Sequence, residues 1–305
     1  MISTIFFALL ISHGLLLGNG SYHVKFLFSF PEKPILAEPL SQPQAIAIDL
    51  DGTVFVSDTG NNRIIKFDQD GHYIYTIGGF GWEVEQFDQP LDVSAKTGLE
   101  IFVADYNNER IERYDKKLNY ISSLHPDETL SNTLQFGFPS GVDISSQGEL
   151  FICDTENNRV LKLNTLGEPV LSFGDFNWGE GQLEHPVKVE VTADNVVYVS
   201  DREANQIVVF DYYGNYIARY GDAELSNPNG LALWKDILLV VADSGHNRLA
   251  VFDKDREFVY SWGSKGSKFG AFDNPVDVAT FKNRIYVLDS GNNRVQVFEL
   301  TRNDH

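Results

Sequence analysis

The chain has 305 residues, 43% hydrophobic and 13% aromatic, with 43 acidic against 24 basic side chains and a formal net charge of −19. This is the composition of a folded chain with ample material for a core, not of a disordered one. The excess of negative charge argues against nucleic-acid partners, whose phosphates are held by Lys and Arg, and it favours a basic or neutral partner.

In chain order, residues 5–17 come first, a largely apolar run followed by Gly18, Gly20 and Ser21. That is the pattern of the apolar region and cleavage site of a secretory signal, although no Lys or Arg precedes the run. It is short for a membrane span, which needs about 20 residues. The expected organisation is therefore a signal peptide over residues 1–20 and a monomeric domain over 21–305. The protein is expected to be secreted or periplasmic, with no stable membrane span once the signal is cleaved. The single cysteine, Cys153, permits neither an intrachain disulfide nor a Cys-based metal site, and it lies in the apolar run 150–153 as a small core residue.

Residues 24–30 (VKFLFSF) read as a strand with no neighbour in sequence to pair with. They resemble the "LSFG" and "YSWG" endings found later in the chain. Beyond them, two markers recur six times in phase. One is an Asp closing an apolar run and opening a polar turn: Asp58 (DTGNNR), Asp105 (DYNNER), Asp154 (DTENNR), Asp201 (DREANQ), Asp243 (DSGHNR) and Asp289 (DSGNNR). The other is Leu/Phe-x-x-Pro, ending at Pro43, Pro90, Pro139, Pro186, Pro228 and Pro275. The period is 42 to 49 residues, that of a repeat architecture.

Each repeat carries four short strand signals; in the first they are 45–49, 53–57, 63–67 and 73–77, with Asp51-Gly52 and Asp70-Gly71 as hairpin turns. Four strands per period make one blade of a β-propeller. The sixth repeat has only three, at 276–279, 284–288 and 295–300, and the segment 24–30 supplies the missing fourth. The expectation is an all-β, six-bladed β-propeller of four-stranded antiparallel blades. Blades start near 43, 90, 139, 186, 228 and 275, and the last is closed by the N-terminal strand. Closure removes a bare sheet edge.

The strand-opening Pro, the [VI]-x-D-x-x-N-x-R turn and the following G-x-apolar hairpin resemble the NHL repeat over residues 43–300, with 22–30 as the closing strand. The resemblance implies the six-bladed fold; it implies little about activity, since one scaffold carries many. A lyase family of similar fold, the peptidyl-α-hydroxyglycine α-amidating lyases, holds zinc with three His placed directly after the strand-opening Pro. The matching positions here are Gln44, Leu91, Ser140, Val187, Asn229 and Val276, and none is His.

A feature present in every blade serves the blade, so the turn motif reads as a structural staple: the Asp accepts backbone N–H bonds within its turn, Asn takes left-handed φ, and Arg forks onto a carboxylate. Function is sought where the repeat is broken. Blade four has Arg202 after its Asp and Gln206 in place of Arg, and blade two has Tyr106 where other blades have Thr59, Thr155, Ser244 and Ser290. Two residues after each Pro stand Ala45, Asp92, Gly141, Lys188, Gly230 and Asp277, at the channel mouth. Asp92, Tyr106, Lys188, Arg202 and Asp277 are the candidate ligand-binding residues of a small polar pocket, against the alternative that they pair with one another. Trp82 and Trp178, with Phe80 and Phe176, lie in long connections between blades, where a rigid scaffold carries its specificity.

The function expected is binding or scaffolding of a protein, peptide or glycan through the upper-face loops, with no catalytic residues and no cofactor. The alternative is a lactonase-like metal-dependent hydrolase, with Ca2+ held by oxygens of Asp92, Asn229 and Asp277. Lys188 in the same ring opposes a cation unless it turns away.

Overall fold

The computed structural model describes residues 13–17, 20–31, 38–126, 129, 134–176 and 179–304. They form six antiparallel sheets. Blade one shows the pattern, with strands Ala45–Ile48, Val54–Asp58, Arg63–Phe67 and Tyr73–Gly78 in order from the channel outward. The first strands of the other blades are Pro90–Ser94, Pro139–Ile144, Pro186–Val191, Pro228–Trp234 and Pro275–Phe281. Each contacts the next, and the sixth contacts the first, so the ring is closed around a channel.

Blade six has Pro275–Phe281, Arg284–Asp289 and Arg294–Asp304 from the C-terminal part of the chain, and its fourth strand is Gly20–Phe30. The pairing runs from Gly20↔Asp304 to Phe30↔Val295. The segment 24–30 therefore lies where its pattern placed it, in a strand four residues longer at its start. His13–Leu17, part of the apolar run read as a leader, pairs outside it as a fifth strand; the four-stranded blade is complete without that strand.

Apolar alternation along the strands gives six clusters of buried side chains, each drawn from two neighbouring blades. The core is thus a ring of six interfaces. The Leu/Phe before each strand-opening Pro plugs one: Leu40, Phe87, Phe136, Leu183, Leu225 and Phe272 are all buried. The closing strand takes part, because Phe30 lies 5.0 Å ring to ring from Phe67 of blade one, over Gly71, whose φ of 83° brings the backbone too close for a side chain.

The Asp turn is a joint between blades. All six Asp residues are fully buried. Their carboxylates accept backbone N–H groups from the segment that opens the same blade: Ser41 at 2.7 Å, Asp88 at 2.8 Å, Gly137 at 3.2 Å, Ser226 at 2.7 Å and Asp273 at 2.7 Å, with both Glu184 and His185 in blade four. The principal backbone donors are thus some 16 or 17 residues upstream, not within the turn as local chemistry predicted. Arg63, Arg110, Arg159, Arg248 and Arg294 each donate Nε to the same Asp at 2.7–2.8 Å. The second Asn of the turn takes left-handed φ, 51° at Asn62 and 52° at Asn293. Its side-chain oxygen accepts an N–H of the next blade: Asn62 from Gln89, Asn205 from Asn227, Asn247 from Asn274, and Asn293 from Gln42, which joins blade six to blade one. The hydroxyls of Thr59, Thr155 and Ser244 donate to the Pro carbonyl of the following blade at 2.6 Å each.

Because Phe30 fills the seam between the closing strand and blade one, Phe30→Ala is expected to cost about 3 kcal/mol or more, the usual penalty for emptying a buried Phe site. Urea unfolding measures this; a cost below about 1 kcal/mol would show that the seam does not hold the ring.

Candidate functional site

Large and small residues alternate around the ring two positions after each Pro, and the large ones line the channel mouth. The even-numbered blades carry Asp92, Lys188 and Asp277; the odd-numbered blades carry Ala45, Gly141 and Gly230. Lys188 reaches across the channel, its Nζ 2.6 Å from Asp92 Oδ1 and 3.1 Å from Asp277 Oδ2. Each Asp also ties its own blade to the next: Asp92 Oδ2 accepts the N–H of Val142 and Asp277 Oδ2 that of Ile46, both at 2.9 Å. The small residues make room for this. A Cβ on Gly230 would fall far inside contact distance of the Asp277 carboxylate and backbone.

Burial drives the titrations of the two carboxyls. It raises Asp92 to about 6 against the opposing pull of Lys188, with Asp277 adding to the rise. It raises Asp277 in the same way. Lys188 is held above its ordinary value because the two carboxylates outweigh its own desolvation.

Above this bridge lies the upper mouth, a cavity of about 270 Å3. All five residues expected to converge line it: Asp92, Tyr106, Lys188, Arg202 and Asp277. Three of them, Asp92, Lys188 and Asp277, pair with one another as its floor, which is the alternative weighed from the sequence. Arg202 enters from the side, its Nη2 donating to Asn229 Oδ1 at 3.1 Å. Tyr106 stands 5.2 Å from Phe138, ring to ring. Burial, together with Arg202 nearby, lowers the pKa of His185 at the same mouth.

His185 precedes its Pro, so it does not match a zinc-ligand position, and it was not among the candidate site residues although a signal was present. The residue before the Pro is Gln42, Gln89, Asn227 or Asn274 in four blades, with φ between 45° and 56°. In blades three and four it is Phe138 and His185. The aromatic rim residues face solvent, Trp82 at 72% exposure, Phe80 at 68% and Phe176 at 82%. Trp178 lies outside the described residues.

A second ionic layer lies lower in the channel. Lys96 Nζ meets Asp143 Oδ2 at 2.9 Å and Glu190 Oε1 at 2.7 Å, and Asp143 Oδ2 also accepts the N–H of Val191 at 2.8 Å. Together they line a lower cavity of about 320 Å3. Asp143 and Glu190 sit four after their Pro, the next inward position of a period-2 strand, so extending the inward pattern by one step would have found them. Burial raises Glu190 to about 7, opposed by Lys96 and reinforced by Asp143. Its side chain is 21% exposed at the mouth, so solvent moderates the shift.

A closed six-bladed ring, with its channel bridged by ion pairs and an open polar mouth on the turn face, defines a β-propeller. Residues 40–67, 136–163 and 272–298 match the family model "NHL repeat". Three of the six repeats, those of blades one, three and six, thus match the NHL repeat within a six-bladed β-propeller. It is 25% identical over 214 residues to NHL repeat-containing protein 3 of Mus musculus, covering 63% of this chain and 60% of that protein. It is 25% identical over 131 residues to Protein brain tumor of Drosophila melanogaster, covering 42% of this chain and 13% of that one. It thus spans less than two thirds of either relative. Among solved structures, a streptogramin B lyase superposes with a TM-score of 0.62 at 15% identity, covering 92% of this chain and 98% of that one. A Staphylococcus aureus virginiamycin B lyase with Quinupristin gives 0.61 at 17%, covering 90% and 85%. At these identities the likeness shows the fold.

Two outcomes follow from the channel. Gly230→Ala should destabilise the protein by about 1–3 kcal/mol in urea, because its Cβ overpacks against Asp277; an unchanged midpoint would mean that the two strands can separate freely. The second concerns pH. A carboxyl whose folded pKa lies above its unfolded value gives stability that is full below the unfolded pKa and is lost as pH rises through the folded one. For Glu190 that window runs from 4.5 to about 7. The melting temperature should therefore fall from pH 5 to 7.5, and Glu190→Gln should flatten the upper part of the fall. Parallel curves for the two proteins would refute this.

Proposed function

We propose that this propeller is an extracytoplasmic binding protein that engages a protein, peptide or glycan partner through its upper face. The observation that carries the reading is the contrast within that face. The turns are consumed by inter-blade hydrogen bonds, whereas Phe80, Trp82 and Phe176 project from the connections into solvent beside a polar mouth. Exposed aromatic side chains of this size are the usual anchors of protein recognition. The apolar run at residues 5–17 supports an extracytoplasmic setting. The negative net charge supports a basic or neutral partner surface.

The hydrolase alternative has less support. Lys188 is turned inward between Asp92 and Asp277, the place a Ca2+ would take, and Asn229 Oδ1 accepts from Arg202.

Replacing Phe80, Trp82 and Phe176 together by Ala should reduce recovery of partner from an extracellular fraction at least about tenfold, while the melting temperature stays within about 2 °C, since exposed substitutions move stability by about 0.5 kcal/mol or less. Recovery equal to the parent protein would sink the proposal, and so would hydrolysis of a lactone or ester by the protein at a rate that Asp92→Ala abolishes.

A further inference from the structure

The Arg that opens the third strand of a blade is neutralised by the buried Asp of its own turn in five blades out of six. Blade four is different. Its third strand opens with Gln206, and Asp201 takes two backbone N–H groups, from Glu184 at 2.9 Å and His185 at 2.7 Å. The basic residue has moved to position 202, next to the Asp. Blades one, three and five hold a hydroxyl there that donates to the next blade. Arg202 makes no such contact and extends into the upper mouth instead.

The Arg202 guanidinium has one hydrogen-bond partner among the described residues, the neutral side-chain oxygen of Asn229. No carboxylate among them lies within 4.0 Å of it; the neighbouring Glu203 acts on it only through space. Its Nε and Nη1 have no partner among the described residues, and neither is sealed from solvent. A half-buried guanidinium held by an amide, with two donors free, is an open half of an ion pair.

The surroundings select what completes it. Tyr106, His185 and Gln44 supply hydrogen-bonding groups, while Leu91, Val187 and Val276 supply apolar wall. Burial and the nearby Arg202 lower the pKa of His185, which works against a second cation in the mouth. The floor carries two carboxylates against one ammonium, and the chain as a whole is acidic. A dianion such as phosphate meets that field twice over; a monoanion with a planar two-oxygen head matches the guanidinium fork at half the repulsion. The cavity, about 270 Å3, is at the small end for ligand sites and takes a terminal group, not a long chain.

We propose that the upper mouth is a carboxylate-binding site, in which Arg202, oriented by Asn229, receives the carboxylate of a small organic acid or of a peptide C-terminus. The inference rests on the upper face being the binding face.

The test uses the full-length protein and calorimetric titration with four probes: acetyl-Ala-Ala as the free acid, the same dipeptide as its C-terminal amide, glucuronate, and glucose. An acid should bind at least about tenfold more tightly than its neutral counterpart, since a charge-assisted pair is lost in the neutral form. Arg202→Gln should remove that preference, and Arg202→Lys should restore part of it, with circular dichroism and melting temperature unchanged in both. Preference within the dipeptide pair alone identifies a peptide terminus; preference within the sugar pair alone identifies a small acid. Equal binding of acids and neutral probes overturns the proposal, as does no binding of either acid at millimolar concentration, or a preference that survives in Arg202→Gln. Should the rim variant lose its partner while the acids fail here, the binding-face reading stands and this inference alone falls.

Discussion

The structure depends on a buried carboxylate used six times. An Asp at the end of each second strand sits in the interior, where an unpaired charge would be expensive. It is satisfied by backbone N–H groups from the segment that opens the blade and, in five blades, by an Arg from the third strand. That one group fixes the connection leading into the blade, the turn and the start of the third strand relative to one another. The Asn and Thr/Ser of the same turn then reach the next blade. A repeat with this motif defines its own shape and also the placement of its neighbour, which is why the ring can close over so long a chain.

Inside the ring the packing problem is different. First strands converge on a narrow channel, and large side chains cannot point inward from all six. The alternation of Ala45, Gly141 and Gly230 with Asp92, Lys188 and Asp277 resolves this by giving each large group a small neighbour. Charge then serves as a tie. The acids hold backbone N–H groups of adjacent blades, and Lys188 joins two blades across the axis. With the lower layer of Lys96, Asp143 and Glu190, the channel is braced at two levels, so the upper mouth is a blind pocket and not the opening of a pore.

Departures from the repeat gather at the upper mouth. Blade four releases its Arg from the turn carboxylate and places a cation in the mouth. Blade two replaces a bridging hydroxyl with Tyr106, and blade four places His185 before its Pro, where an amide residue stands in four of the others. Tyr106 forgoes the hydroxyl bridge that Thr59, Thr155 and Ser244 make, and Tyr106, His185 and Arg202 all line a single cavity. The remaining blades carry the stability that lets these two diverge.

The phased Asp and Pro markers, the four strand signals per period and the incomplete last repeat were enough to determine six blades and the closing role of residues 24–30, because these are local patterns of period 2 and of turn chemistry. The inward-facing set two residues after each Pro was also legible, and it led to Asp92, Lys188 and Asp277. What their side chains do was not legible. Whether Lys188 bridges the two carboxylates or turns away depends on distances across the channel, between blades 89 and 96 residues apart in sequence. The same holds for the turn Asp, whose backbone donors lie upstream, and for Arg202, whose freedom is visible only once Asp201 is seen to be satisfied without it. Composition and spacing settle what a strand is and which way its residues face; only closure of the ring decides which of those residues meet.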